Sequence, residues 1–210
     1  MNDQYKSFIK KSTKFKQRAD LILNHRSELW MIQYLNISLL SDLWQAWCSF
    51  SREVILSSCN GTTTRSGARV PPIAGDKSWQ RLGYVVQQAK RGNPIKPSKT
   101  IAFLREEPTW GDQNVLISAV NTLMPSNMTT LLMGFGQPTK AIPHIQTVRN
   151  ATAHLNSETI ANVKQLLPFY LGHGFSHPID IMWMQDPNAR TEAIYYWLDE
   201  LQLIADIVTS

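Results

Sequence analysis

The feature that most constrains the fold of this 210-residue chain is an apolar stripe within residues 28–58. Leu40, Leu43, Trp44, Trp47, Phe50, Val54 and Ile55 recur at steps of three and four. Each helical residue turns ~100°, so those steps place the seven side chains on one face of a long helix that must be covered by other elements. Trp44 and Trp47 share the stripe with the aliphatics, which favours core packing or a dimer face over base stacking. Ser27 is the expected N-cap, a break is expected near Asn36, and Cys59-Asn60-Gly61 is expected to end the helix because Asn and Gly accept a left-handed turn.

The same spacing predicts helices elsewhere. Residues 3–26 read as a basic amphipathic helix with Phe8, Phe15 and Ile22 inside and Lys6, Lys10, Lys14 and Lys16 outside. Further helices are expected over Ser78–Arg91, after an Asp112 cap up to Pro125, over Ser126–Met133, over Lys140–His154 and from Asn156 or Ser157 to Pro168. A last helix is expected to start at Asp186-Pro187, by cap and first-position proline. Residues 60–77 and 92–111 read as irregular, so 60–111 is taken as an insertion or lid on an all-α core, with Arg65 and Arg69 as candidate phosphate contacts. One domain over residues 1–210 is expected.

Composition narrows the class. Hydrophobic residues make up 43% and charged residues 18%, and no apolar run reaches the ~18 residues a membrane span needs. No apolar signal core follows Met1, so a cytoplasmic location is expected, with no membrane partner. Cys48 and Cys59 are too few for a disulfide framework and read as buried thiols. His173 and His177 have a zinc-compatible spacing, but Gly172, Gly174 and Pro178 make a loop there, and no metal or cofactor is expected. Charge is uneven: residues 1–26 carry a net +5, 27–178 a net +5 and 179–210 a net −5. The basic front suits a polyanion, or else the acidic tail packs against it.

The densest chemistry lies in Ile145-Gln146-Thr147-Val148-Arg149-Asn150-Ala151-Thr152-Ala153-His154. With ten arginines and five histidines, an Arg followed by His at such spacing arises by chance about 0.7 times in this length. Arg18 and His25 fit the loose pattern too, but Ala19 offers no polar neighbour and the gap spans ~10 Å of helix. At the first pair, Asn150 and His154 lie one turn apart, so Asn150 can orient the imidazole. Arg149 diverges from His154 by ~140° on an ideal helix. It must swing back, or the helix must begin within the motif, or two copies of the chain must share the site.

This segment resembles the ribonuclease motif of the HEPN superfamily (higher eukaryotes and prokaryotes nucleotide-binding domain): an Arg, a neighbouring Asn, Asp or His, and a His after four to six residues. The resemblance implies an all-helical bundle, commonly a homodimer with a composite active site, and a metal-independent endoribonuclease of the toxin–antitoxin or antiphage kind, with an antitoxin or defence-system partner. One toxin branch has Tyr two residues after the His, where AMP is attached; Asn156 stands there in this chain.

The expected chemistry is attack of a ribose 2′-hydroxyl on its own phosphate, giving a 2′,3′-cyclic phosphate and a 5′-hydroxyl. His154 would move the proton, Arg149 would bind the phosphate bidentately, and Asn150 would orient His154 or donate to a phosphate oxygen. Two other readings stand beside it. One is a catalytically silent helical module that dimerises or binds nucleotide. The other is a non-specific RNA-binding protein.

Overall fold

A computed structural model describes residues 1–24, 28–172 and 174–210. The chain is predominantly helical, as the periodicity predicts. Its elements are α1 (Asn2–Asn24), α2 (Leu29–Asn60), a two-stranded ladder of β1 (Thr62–Thr63) and β2 (Arg69–Val70), α3 (Trp79–Lys90), α4 (Gln113–Leu123), α5 (Met128–Phe135), α6 (Ala141–Ala153), α7 (Ser157–Lys164) and α8 (Ala193–Thr209). No helix among the described residues is long and apolar enough to cross a membrane. His25, the proposed cap Ser27 and His173 lie outside the described residues.

The chain divides into two compact units. The first comprises Met1–Phe8, Trp47–Pro138 and Leu203–Ser210. Its centre is aromatic: Phe8 stacks on Phe50 at 4.7 Å between centroids, and Trp47 meets Phe135 edge-on at 6.3 Å. The Trp47 indole donates to the Gly111 carbonyl at 3.2 Å, which satisfies its one polar atom inside the core. Helix α3 lies against α4, burying Leu82 and Val86 on one side and Val115, Leu116, Ala119 and Val120 on the other. Ser78 caps α3 through the Arg81 amide, and Asp112 caps α4 through the Val115 amide at 3.0 Å.

Residues 60–77 are more ordered than a loop. Gly61, at φ +88°, ends α2 and allows Thr62 to pair with Val70 and Thr63 with Arg69 in antiparallel register. Arg65, a candidate phosphate contact, is instead structural. Its guanidinium donates to Thr209 Oγ1 at 2.9 Å and to Asp206 Oδ1 at 2.5 Å, and lies 3.8 Å from the Tyr5 ring centroid. Farther along, Arg52 grips the buried Glu107 through two bonds of 2.7 and 2.8 Å, and Trp110 donates to the same carboxylate at 3.0 Å.

The second unit comprises Ile9–Ala46 and Thr139–Gln202. Phe15, Ala19, Ile22, Leu40 and Leu43 are buried in its first segment, and Ile142, Ile145, Val148, Trp197, Leu198 and Leu201 in its second. The acidic tail packs partly on the basic front. Lys16 pairs with Asp199, and the Tyr195 hydroxyl donates to Asp20 at 2.5 Å.

Several boundaries differ from the sequence expectation: α5 spans Met128–Phe135 rather than Ser126–Met133, and α7 ends at Lys164 rather than Pro168. Helix α2 runs unbroken through Asn36, which is buried at 4% exposure rather than marking a break. The last helix begins at Ala193, not at Asp186. Asp186 is fully buried and holds a turn: its Oδ1 accepts from the Asn188 and Ala189 amides at 2.9 Å each, and its Oδ2 accepts from Lys140 at 2.9 Å. Burial alone would raise the Asp186 carboxyl, but the Ala189 amide, Lys140 and the Asn188 amide outweigh it and hold the group below the usual carboxylate range.

Candidate functional site

Two helical faces build the cleft that contains His154. On α6, Thr147 and Asn150 are three residues apart, and His154 follows four later as the residue that caps the helix end. On α7, Glu158 and Asn162 are four apart, with Gln165 and Leu166 completing the same face at the helix end. The turn between the helices brings these faces together around a cleft of about 650 Å³, lined by those residues and Thr159. Leu166 supplies the only large apolar surface; the remaining lining is polar, as a site for a charged or hydrogen-bonding ligand requires.

The turn itself is fixed by local chemistry. Asn156 caps α7, its Oδ1 accepting from the Thr159 amide at 3.0 Å. The Thr159 hydroxyl donates back to the His154 carbonyl at 2.7 Å, and the His154 amide donates to the Asn150 carbonyl at 2.9 Å. The His154 backbone, at φ −135° and ψ 71°, is therefore held from both sides while the residue stays exposed. A catalytic imidazole needs that combination of a fixed origin and an open ring.

The three predicted site residues are only partly united. Asn150 and His154 line the same cleft, whereas Arg149 does not line it. The half-buried Arg149 donates through Nη1 to Asn150 Oδ1 at 3.4 Å. Asn150 is thus bonded to the guanidinium, and the expected bond from Asn150 to the imidazole is not seen among the described residues. Arg149 reaches the cleft through Asn150, and direct contact with a ligand needs a different rotamer of its long side chain.

Sequence reasoning missed Glu158. It stands four residues after His154 but on the next helix, so no single-helix spacing connects them. The 158–162–165 rhythm after the Asn156 cap was the available signal, since it marks one face of α7.

Also missed was a buried polar chain beneath α6. His144 is 6% exposed, Tyr170 5% and Trp197 0%. The Trp197 indole can only donate, and it does so to the Tyr170 oxygen at 2.8 Å. The Tyr170 hydroxyl then has its own proton to give, and His144 Nδ1 lies 2.6 Å away to accept it. In that arrangement the ring proton of His144 is on Nε2; in the other tautomer Nδ1 donates to the same oxygen. Burial, reinforced by the Lys140 charge, pushes the His144 imidazole down to about 4, and burial pushes the Tyr170 phenol up. This neutral chain fastens α6 to residue 170 and to α8, which positions the helix that carries Asn150 and His154.

Trp44, Trp47, Cys59 and His177 resolve as structure, whereas Arg69 is exposed and Cys48, expected to be a buried thiol, is only half-buried. Trp44 and Trp47 are buried, at 6% and 0% exposure. Cys59 is buried, and burial pushes its thiol up to about 12. His177 caps a short 3-10 helix over Pro178–Trp183, its Nδ1 accepting from the Ile179 amide at 3.2 Å. No protein family, curated protein or solved structure matches this chain.

Proposed function

We propose that the chain is a metal-independent endoribonuclease of the HEPN kind, acting as a toxin or antiphage effector, with His154 as the proton-transfer group. The observation that carries this reading is the exposed His154 at the mouth of a polar cleft, its backbone fixed from both sides and Asn150 on the same wall. In this reading RNA lies in the cleft and its 2′-hydroxyl attacks the adjacent phosphorus. The 2′-oxygen forms a bond to phosphorus as the bond to the 5′-oxygen breaks, and the leaving oxygen takes up a proton. Asn150 donates its amide to a phosphate oxygen, and Arg149, swung from Asn150, offsets the developing charge.

In-line transfer needs a base and an acid. A homodimer supplies a second His154, and the exposed apolar residues Leu21, Leu29, Trp30 and Tyr34 on α1 and α2 offer it a surface, each being 61% exposed or more. Glu158 in the same cleft favours a second arrangement, in which one chain carries both groups, the carboxylate as base and the imidazole as acid.

Wild type and His154→Ala, incubated with total RNA in EDTA, test the proposal. Cleavage to 2′,3′-cyclic phosphate ends by wild type, lowered about 10²–10⁴-fold in the variant, supports it. Equal inertness of the two favours the silent dimerising or nucleotide-binding module, and RNA binding without cutting favours a binding protein. Glu158→Gln separates the arrangements: a comparable loss in that variant supports the single-chain pair.

A further inference from the structure

From Lys77 to Arg105 the sequence has seven basic and no acidic side chains. All of this stretch belongs to the first compact unit. Elsewhere in the chain, Lys16, Arg18, Arg52, Arg65 and Lys140 each meet a carboxylate. Lys90, Arg91, Lys96 and Lys99 are exposed and form no ion pair among the described residues.

The segment that carries Lys96 and Lys99 is held in place. Arg81 on α3 donates through Nη1 to the carbonyls of Lys96 and Lys99, both at 2.8 Å. The Ile101 amide donates to the Gln80 carbonyl at 3.2 Å, and Ile101 is buried above Gly83, where a Cβ would meet its Cδ1 at 2.7 Å. The Asn93 amide donates to the Gln88 carbonyl at 3.0 Å. Arg81 is therefore used to fix the backbone, and the two lysines border a cleft of about 500 Å³ that Tyr84, Gln88, Asn93 and Pro94 complete.

We propose that this cleft binds the backbone of a single-stranded nucleic acid. Unneutralised ammonium groups held on a fixed backbone bind phosphates by displacing condensed counterions. The Tyr84 ring and the Gln88 and Asn93 amides in the same cleft add a stacking surface and hydrogen-bonding groups that a nucleotide base can use. Ile95, 41% exposed beside Lys96, is a side chain that a lipid surface could also use, so anionic vesicles are the competing ligand in the test. The site makes no use of His154, so it stands whether or not the chain cleaves RNA.

The test uses the full chain carrying His154→Ala, so that the ligand survives. Fluorescence anisotropy with labelled twelve-nucleotide oligo(U) and oligo(dT), and co-sedimentation with phosphatidylserine vesicles, are read between 50 and 200 mM salt, before and after adding Lys96→Gln and Lys99→Gln. Both lysines are exposed, so the variant should fold, and unchanged circular dichroism checks this. The expected result is binding of both oligonucleotides, weakened about tenfold in the double substitution, with the slope of log K against log salt reduced by about 1.4 for two lost phosphate contacts. A control removes the same charge by Lys10→Gln and Lys14→Gln on α1 and should lose far less. Equal loss in the control, an unchanged salt slope, or an effect confined to phosphatidylserine vesicles would overturn the proposal.

Discussion

Tyr170→Phe removes one oxygen and nothing else from the buried chain of His144, Tyr170 and Trp197. Side-chain volume is nearly conserved, so no cavity of note forms. Two polar groups are orphaned: the Trp197 indole N–H, fully buried, loses its acceptor, and His144 Nδ1 loses its partner. Each buried unsatisfied group costs about 1–3 kcal/mol, and relief from burying the hydroxyl itself returns part, so the net loss should be about 2–4 kcal/mol. For a chain of this length that corresponds to a fall in Tm of about 10 °C. Urea unfolding at pH 7, followed by circular dichroism, should show a lower midpoint with an unchanged slope. In a His144→Phe background only the indole is orphaned, so the same substitution should cost about 1–2 kcal/mol less. A loss below about 0.5 kcal/mol, or additive costs in the double variant, would refute the hydrogen-bonded chain described here.

The depressed His144 imidazole sets an acid limb on stability. Between its folded value of about 4 and the ordinary 6.5, the unfolded chain binds a proton that the folded chain refuses. The stabilisation is complete above pH 6.5 and declines as pH falls towards 4, with about 2 kcal/mol gone by pH 5. Urea midpoints at pH 7 and pH 5 should show that loss in wild type and much less in His144→Phe. Gly134 packs so closely on α8 that a Cβ there would collide with Val208 Cγ1. Gly134→Ala should therefore destabilise by about 1–3 kcal/mol although alanine is the better helix former, and adding Val208→Ala should recover part of the melting temperature.

Much of the helical layout was legible because its signals are local. Ser78 and Asp112 cap where their side chains can reach an amide three residues on, and the stripe from Leu40 to Ile55 is buried as its spacing demands. Asn36 and Asp186 misled for one reason: each is a residue common at helix ends, and burial overrode that preference. Asn36 sits inside a helix closed by tertiary packing, and Asp186 spends its oxygens on Lys140 and on the turn that delays α8. Arg65 could not be placed from sequence because its partners lie more than 140 positions away. The candidate site divides along the same line. Asn150 and His154 meet through one helical turn, whereas the contribution of Glu158 depends on a bend between two helices, and the support from His144 depends on residues 170 and 197.

The Arg65 anchorage also bears on how the chain is made. The hairpin after α2 emerges from the ribosome early, yet the carboxylate and hydroxyl that hold its guanidinium belong to the final turn of α8. During translation its bonds to Asp206 and Thr209 can form only after roughly 140 residues of later chain have been made.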